Sequence, residues 1–277
     1  GVGARLRGAL ARMGNARAAC RRAPRAQPPP PVWVTSIAKS PSHPHADTST
    51  FFLGLDDGSL KVWSLAREGE LSTLLLRDEM YAHPAQVSCL LIVDSGQSLL
   101  SAGGSELNDE TGGPNDILQW DLKFSLVVAV YSAHARWVRS MAASSDGLWF
   151  FSASNDGTIC KWRVFRTSDR VARTATRTAP TLVLRPAQLP SQRVFGEARK
   201  REWIRALAHS NGSLFSGGND GLVRRWDADS GCEEAVYQGH KEKITALAVP
   251  QGVAPLFIFS GSNLSLIHIS EPTRLGM

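Results

Sequence analysis

One six-residue pattern recurs five times, and it constrains the fold more than any other feature of the chain. The copies are WVTSIA (Trp33 to Ala38), QVSCLL (Gln86 to Leu91), WVRSMA (Trp137 to Ala142), WIRALA (Trp203 to Ala208) and KITALA (Lys243 to Ala248). Each places a β-branched residue (Val34, Val87, Val138, Ile204, Ile244) three positions ahead of an apolar one. A second pattern trails the copies: DDGSLKVW ending at Trp63, PNDILQW at Trp120, NDGTICKW at Trp162 and NDGLVRRW at Trp226. The starts lie roughly 40 to 66 residues apart, the period of a repeated supersecondary unit with insertions.

The residues between the two patterns read as short strands. In the third copy SMAAS alternates as a first strand and SSDG turns, with Gly147 where a positive φ is easiest. LWFFSAS follows as a second strand, NDG turns again, and TICKW ends a third strand at Trp162. The fourth copy repeats the layout as ALAHS, SNG, SLFSGG, NDG and LVRRW. Fourth strands are expected at 72–77, 125–131, 181–185 and 233–238. Strands at this spacing, broken by Asp-Gly and Asn-Gly turns, predict an all-β architecture.

Across roughly residues 32 to 263 these motifs resemble the WD-repeat (WD40-type) β-propeller family. In that family a Gly-His dipeptide precedes each blade and Trp-Asp closes its third strand. The first appears as Gly239-His240, with Ala82-His83 and Ala133-His134 as variants. The second appears as Trp120-Asp121 and Trp226-Asp227, with Trp63-Ser64 and Trp162-Arg163 as variants. The resemblance implies a buried hydrogen-bond chain of His, Ser, Asp and Trp within each blade. It assigns structural roles to His83, His134, His240, Asp57, Asp156, Asp220, Trp63, Trp120, Trp162 and Trp226. His134, Asp156 and Trp162 fit best. Lys200 stands in the His slot that belongs with Asp220, and Pro114 stands in the Asp slot of the second blade, where the chain is expected to break.

The repeat yields about four complete blades and part of a fifth, against a usual ring of about seven. SGSN (Ser260 to Asn263) matches SASN and SGGN of the preceding blades, but the Asp-Gly and third strand expected next are missing. LSLIHISEPTR (Leu264 to Arg274) resembles the translation of a sequencing-library adapter, so residues 264–277 are expected to be a non-native tail. Residues 1–31, of which 24 are Gly, Ala, Arg or Pro, are expected to be an irregular leader. A mitochondrial targeting peptide is the alternative there. Residues 32–263 are then the propeller domain.

The net charge of +6 conceals two opposite populations. Residues 1–46 carry eight basic groups and no acid, and residues 163–201 carry ten basic groups and two acids, so the rest nets −10. The high isoelectric point therefore argues little for a nucleic-acid surface on the repeat body. The four cysteines (Cys20, Cys89, Cys160, Cys232) have no paired or ligand-like spacing, which suits free thiols in a reducing, intracellular compartment, cytoplasmic or nuclear. The uncharged run Ile244 to Ser270 is interrupted by Pro250, Gly252, Pro255 and Gly261 and reads as strands, not as a membrane helix.

Function is sought in what varies. The first and third hexapeptide residues point away from the core by strand alternation: Trp33/Thr35, Gln86/Ser88, Trp137/Arg139, Trp203/Arg205 and Lys243/Thr245. The resemblance places these slots at the channel rim. Trp33, Trp137, Arg139, Trp203 and Arg205 are the candidate partner-binding residues, with interblade packing as the alternative for the tryptophans. Arginine's planar fork suits an acidic or phosphorylated protein or peptide. No catalytic residue, metal site, cofactor, small-molecule substrate or membrane contact is expected. His43 and His45 lack a third ligand, and His209 reads as surface. The expected function is a non-catalytic protein-interaction scaffold. The alternatives are a ribonucleoprotein component using residues 163–201, expected as a surface loop without regular structure, and the substrate-recruiting propeller of a larger enzyme.

Overall fold

The structure, a computed structural model, describes residues 32–40, 48–68, 71–104, 115–166, 175–186, 202–250, 258–263 and 268–270. All belong to one unit, Val32–Met277. Five sheets follow one another along the chain. Sheet one is β1 (Val34–Lys39), β2 (Thr48–Leu55), β3 (Ser59–Glu68) and β4 (Leu71–Tyr81). Sheet two is β5 (Val87–Val93), β6 (Ser98–Gly103), β7 (Ile117–Asp121) and β8 (Leu126–Tyr131), with β12 (Thr176–Thr178) added outside β8. Sheet three is β9 (Val138–Ala143), β10 (Trp149–Ser154), β11 (Ile159–Arg163) and β13 (Leu182–Leu184). Sheet four is β14 (Ile204–Ser210), β15 (Ser213–Gly218), β16 (Val223–Asp227) and β17 (Glu233–Tyr237). Sheet five is β18 (Ile244–Ala248), β19 (Ile258–Ser262) and β20 (His268–Ser270). Antiparallel meanders that follow one another in sequence order are consistent with the blades of a WD-repeat propeller.

The turns follow from the Asp-Gly pairs. Gly58, Gly157 and Gly221 take φ of 85°, 79° and 75°, a region that other residues enter at a cost. The aspartate just before each accepts the N–H two residues on: Ser59 to Asp57 at 2.9 Å, Thr158 to Asp156 at 2.8 Å and Leu222 to Asp220 at 3.1 Å.

Neighbouring sheets meet through their first strands, which lie side by side in the order β1, β5, β9, β14, β18. The β-branched hexapeptide residue fills a small-residue hole in the preceding sheet. A Cβ on Gly54 would lie 2.6 Å from Val87 Cγ1, and one on Gly217 would lie 2.6 Å from Ile244 Cγ2. Ala102 shares a core cluster with Val138, and Ala153 shares one with Ile204. Val87, Val138, Ile204 and Ile244 are all buried, each contributing about 1.5–3 kcal/mol. Val34, with no described sheet before it, is 56% exposed.

Three features depart from the sequence expectations. The basic connection 163–201 is not wholly irregular: Thr176–Thr178 leaves sheet three and pairs in parallel with Ala129–Tyr131 of β8. The missing third strand of sheet five has an occupant in β20, which pairs with β19. Every first strand carries an irregularity at the third hexapeptide residue, described next. The insertion 105–114, residues 1–31 and His43 and His45 lie outside the described residues.

Candidate functional site

All five first strands slip register at the same place. Val34 pairs with Leu55 and Ser36 with Gly54, so Thr35 is the extra residue of a β-bulge. Ser88, Arg139, Arg205 and Thr245 hold the same position in β5, β9, β14 and β18. A bulge leaves its extra residue out of the ladder and re-aims its side chain. In β1 and β5 that side chain serves packing between sheets: Thr35 Oγ1 donates to Val87 O and Ser88 Oγ donates to Val138 O. In β9 and β14 the same position carries a guanidinium.

Those two arginines and the two tryptophans form a ladder. Arg139 lies 3.5 Å from the ring centroid of Trp137 in its own sheet and 5.9 Å from that of Trp203 in the next. Arg205 lies 5.4 Å from the Trp203 centroid. Contacts of this kind contribute roughly 0.5–2 kcal/mol each. Each arginine is also oriented by the turn between the second and third strands. Arg139 Nε donates to Asn155 Oδ1 at 3.1 Å, and Arg205 Nε donates to Asn219 Oδ1. The asparagines are themselves fixed, since Asn155 N donates to Trp137 O and Asn219 N to Trp203 O, both at 2.9 Å. In sheets one and two, Asp56 and Gly104 hold this turn position through the same backbone bond, and there the bulge residue is Thr35 or Ser88.

The five candidate contact residues thus separate. Trp33 is 67% exposed, whereas Trp137 and Trp203 are 6% and 7% exposed. Trp137 packs against the preceding sheet, where a Cβ on Gly104 would come within 2.7 Å of its ring. Both rings serve as platforms beneath arginines that are only half-buried.

Away from this row, each sheet holds its polar chain differently. Sheet three is complete. His134 Nδ1 meets Asp156 Oδ2 at 3.0 Å, His134 Nε2 meets Ser152 Oγ at 2.7 Å, and Trp162 Nε1 donates to Ser152 Oγ at 2.8 Å. Burial alone would disfavour the imidazolium, but Asp156 and Cys160 together outweigh it and His134 is pushed up to about 9. Asp156, also bonded to Thr158, lies below the ordinary carboxylate range despite its burial. Sheet two keeps three members: His83 Nε2 meets Ser101 Oγ at 2.9 Å, and Trp120 Nε1 donates to the same oxygen at 2.9 Å. Burial pushes His83 down to about 4 against the weaker pull of Ser101 and Asp116. Pro114 therefore removes only the acidic end of the chain.

Sheet four substitutes one cation for another. Trp226 Nε1 donates to Ser216 Oγ at 2.9 Å, and Asp220 takes Arg224 Nη1 at 2.6 Å, with Arg224 only 5% exposed. The charge opposite the aspartate comes from the third strand, at the position that Cys160 holds in sheet three. In sheet five His240 Nε2 meets Ser260 Oγ at 2.8 Å. In sheet one Leu53 stands in the serine slot, and the Trp63 indole N–H is buried without a partner among the described residues. Trp63 is thus a packing residue, and Asp57 acts within its turn, accepting Ser59 N and Oγ.

His209, expected at the surface, is buried and stacks on Phe151 with centroids 5.6 Å apart. Among the described residues no cluster of three His, Cys, Asp or Glu side chains is arranged to hold a metal ion. None of the described helical segments is long and apolar enough to cross a membrane.

A family model of the WD domain, G-beta repeat, matches residues 125–163, the fourth strand of sheet two through the third strand of sheet three. Similar proteins include a ribosome biogenesis protein WDR12 homolog from Chlamydomonas reinhardtii, 28% identical over 229 residues, covering 76% of this chain and 48% of that protein. Mitochondrial division protein 1 of Kluyveromyces lactis is 26% identical over 202 residues, covering 68% of this chain and 26% of that protein. A CCR4-associated factor 4 homolog from Vanderwaltozyma polyspora is 25% identical over 207 residues, covering 69% of this chain and 29% of that protein. The chain spans about half or less of the length of these relatives.

Proposed function

Because the chain is built of WD repeats, we propose that it is a protein-interaction scaffold whose contact surface runs along the bulged positions of its first strands. Arg139 and Arg205 are the anchoring residues, with Trp33 as an exposed aromatic on the same row. The observation that carries this is the ladder. Two guanidinium groups on successive blades are oriented by Asn155 and Asn219 and backed by buried indoles. A guanidinium has five donors, and orientation through Nε directs the rest of the fork. The fitting partner is a protein segment with carboxylates or phosphates spaced to meet neighbouring blades. Trp137 and Trp203 support the arginines and are not themselves contact residues.

The test uses Arg139→Gln and Arg205→Gln, which remove charge and keep much of the stem. Each is expected to weaken binding of an acidic or phosphorylated peptide by roughly 1–3 kcal/mol in fluorescence anisotropy. The unfolding midpoint should move little. Unchanged affinity in the double variant would remove this row from the site.

A second reading rests on a different observation. Arg163, Arg166, Arg177 and Arg185 are all exposed along the connection that carries β12 and β13, and one similar protein is named for ribosome biogenesis. That reading makes the segment a contact for RNA phosphates. It expects a steep salt dependence of RNA binding that disappears when these four arginines become glutamine.

A further inference from the structure

At the end of β9 remote from Arg139, a cavity of about 180 Å³ opens between sheets three and four. Lys161 reaches into its wall from β11 and is buried, with 7% of its surface exposed. Its ammonium donates to Ala228 O at 2.8 Å and to Asp229 Oδ1 at 2.9 Å, bridging the two sheets. The same ammonium lies 4.9 Å from the ring centroid of Trp149 and 5.9 Å from that of Phe151. Two aromatic faces, a carbonyl and a carboxylate around one amine form an environment suited to organic cations. With Lys161 in place the cavity still has the volume of about six liquid waters.

The charges around it do not balance. Asp146, on the turn after β9, and Asp229, on the turn after β16, both line the cavity with Lys161 and His209. Burial and the nearby Lys161 lower His209 against the opposing pull of Asp146 and Asp229, so it is neutral at pH 7. Two carboxylates then face one ammonium. Both carboxylates are at the surface end of the cavity: Asp229 has a side chain 91% exposed, and Asp146 is held by Ser144 Oγ and by Leu148 N at 2.9 Å.

We propose that this cavity receives one cationic side chain, lysine or arginine, from a partner protein. Lys161 displays in cis the chemistry that the walls accept, and Asp146 and Asp229 supply the uncompensated charge. The site is separate from the arginine row, of opposite electrostatic preference and at the other end of the same strands. A basic partner segment and an acidic one can therefore engage the two ends at once.

The probes are N-acetyl-arginine N-methylamide, its lysine counterpart and the uncharged citrulline counterpart, titrated into the full chain. The readout is the Trp149 indole N–H resonance, identified by its loss in Trp149→Phe. Asp146→Asn keeps the turn's acceptor and Asp229→Asn keeps an acceptor for Lys161, so both remove charge with little disturbance of the fold. Saturable shifts with the arginine and lysine probes are expected, weakened at least about fivefold in each variant. They should also weaken as pH falls and His209 gains a proton beside Lys161, Asp146 and Asp229. No shift at tens of millimolar probe would overturn the proposal. So would an equal shift with citrulline, or unchanged affinity in both variants.

Discussion

Sheets two and three place a histidine in the same slot, on the same serine, beside the same tryptophan, and drive it in opposite directions. His134 is held near 9 and His83 near 4. His134 is buried and His83 half-buried, and desolvation lowers both. The partners differ: Asp156 and Cys160 raise His134 against burial, whereas only the weaker pull of Ser101 and Asp116 opposes burial at His83. In sheet three the chain is an ion pair closed by a hydrogen-bonded serine. In sheet two it is a neutral hydrogen-bond relay. Sheet four gives a third solution, keeping Asp220 and supplying its cation from Arg224. Where the serine slot is kept, in sheets two, three and four, a buried serine accepts the indole N–H of the third strand, and the repeat leaves open whether a charged pair joins it.

The strongest test converts one sheet into the other. Asp156→Ala leaves a buried imidazolium without its partner and should cost about 3–5 kcal/mol in urea unfolding. His134 should then titrate below its ordinary value, as His83 does, which NMR of the imidazole protons would detect. A cost under about 1 kcal/mol would mean that the pair is not charged.

The next effect is on pH. His134 is raised on folding, so its contribution is complete below its unfolded value of 6.5 and is lost as pH rises through about 9. His83 is lowered, so its contribution is present above 6.5 and is lost as pH falls towards about 4. Each limb amounts to about 3 kcal/mol. Unfolding midpoints across this range should fall at both ends. His134→Gln should flatten the alkaline limb alone, and His83→Gln the acidic one.

Smaller differences separate the serines. Ser152 accepts from both His134 and Trp162, whereas Ser216 accepts from Trp226. Ser152→Ala should cost about 2 kcal/mol and Ser216→Ala about 1. The smallest effect is in sheet one, where the Trp63 indole N–H has no partner to lose among the described residues. Trp63→Phe should cost about 1 kcal/mol less than Trp162→Phe in paired denaturation curves.

The sheets, their order and the Asp-Gly turns were legible in the sequence because each rests on local chemistry repeated several times. The bulges were legible in principle. Residues on one face of a regular strand are an even number apart, yet Val138 and Met141, or Ile204 and Leu207, are three apart and share one core cluster. Only an extra residue between them reconciles the two. The pairing of Arg139 with Asn155, and of Arg205 with Asn219, was visible as co-occurrence of Arg in the hexapeptide and Asn in the turn, but not as contact. The packing of Trp137 between sheets stood in the sequence as the alternative to partner contact, whereas the burial of His209 and the position of Lys161 were not legible, because each is fixed by a neighbouring sheet and not by its own. Nor was β12, whose three residues carry no strand signal apart from the edge they join.

That added strand has a consequence in time. The outer edge of β8 is finished at Tyr131, but its cover, Thr176–Thr178, lies far downstream, beyond the whole of β9, β10 and β11. At a synthesis rate of about 5–20 residues per second, several seconds pass before the cover leaves the ribosome. During that interval an unpaired row of amides waits on a sheet that is otherwise complete. The nascent chain is most open to mispairing there, and the emergence of Thr178 marks when that window closes.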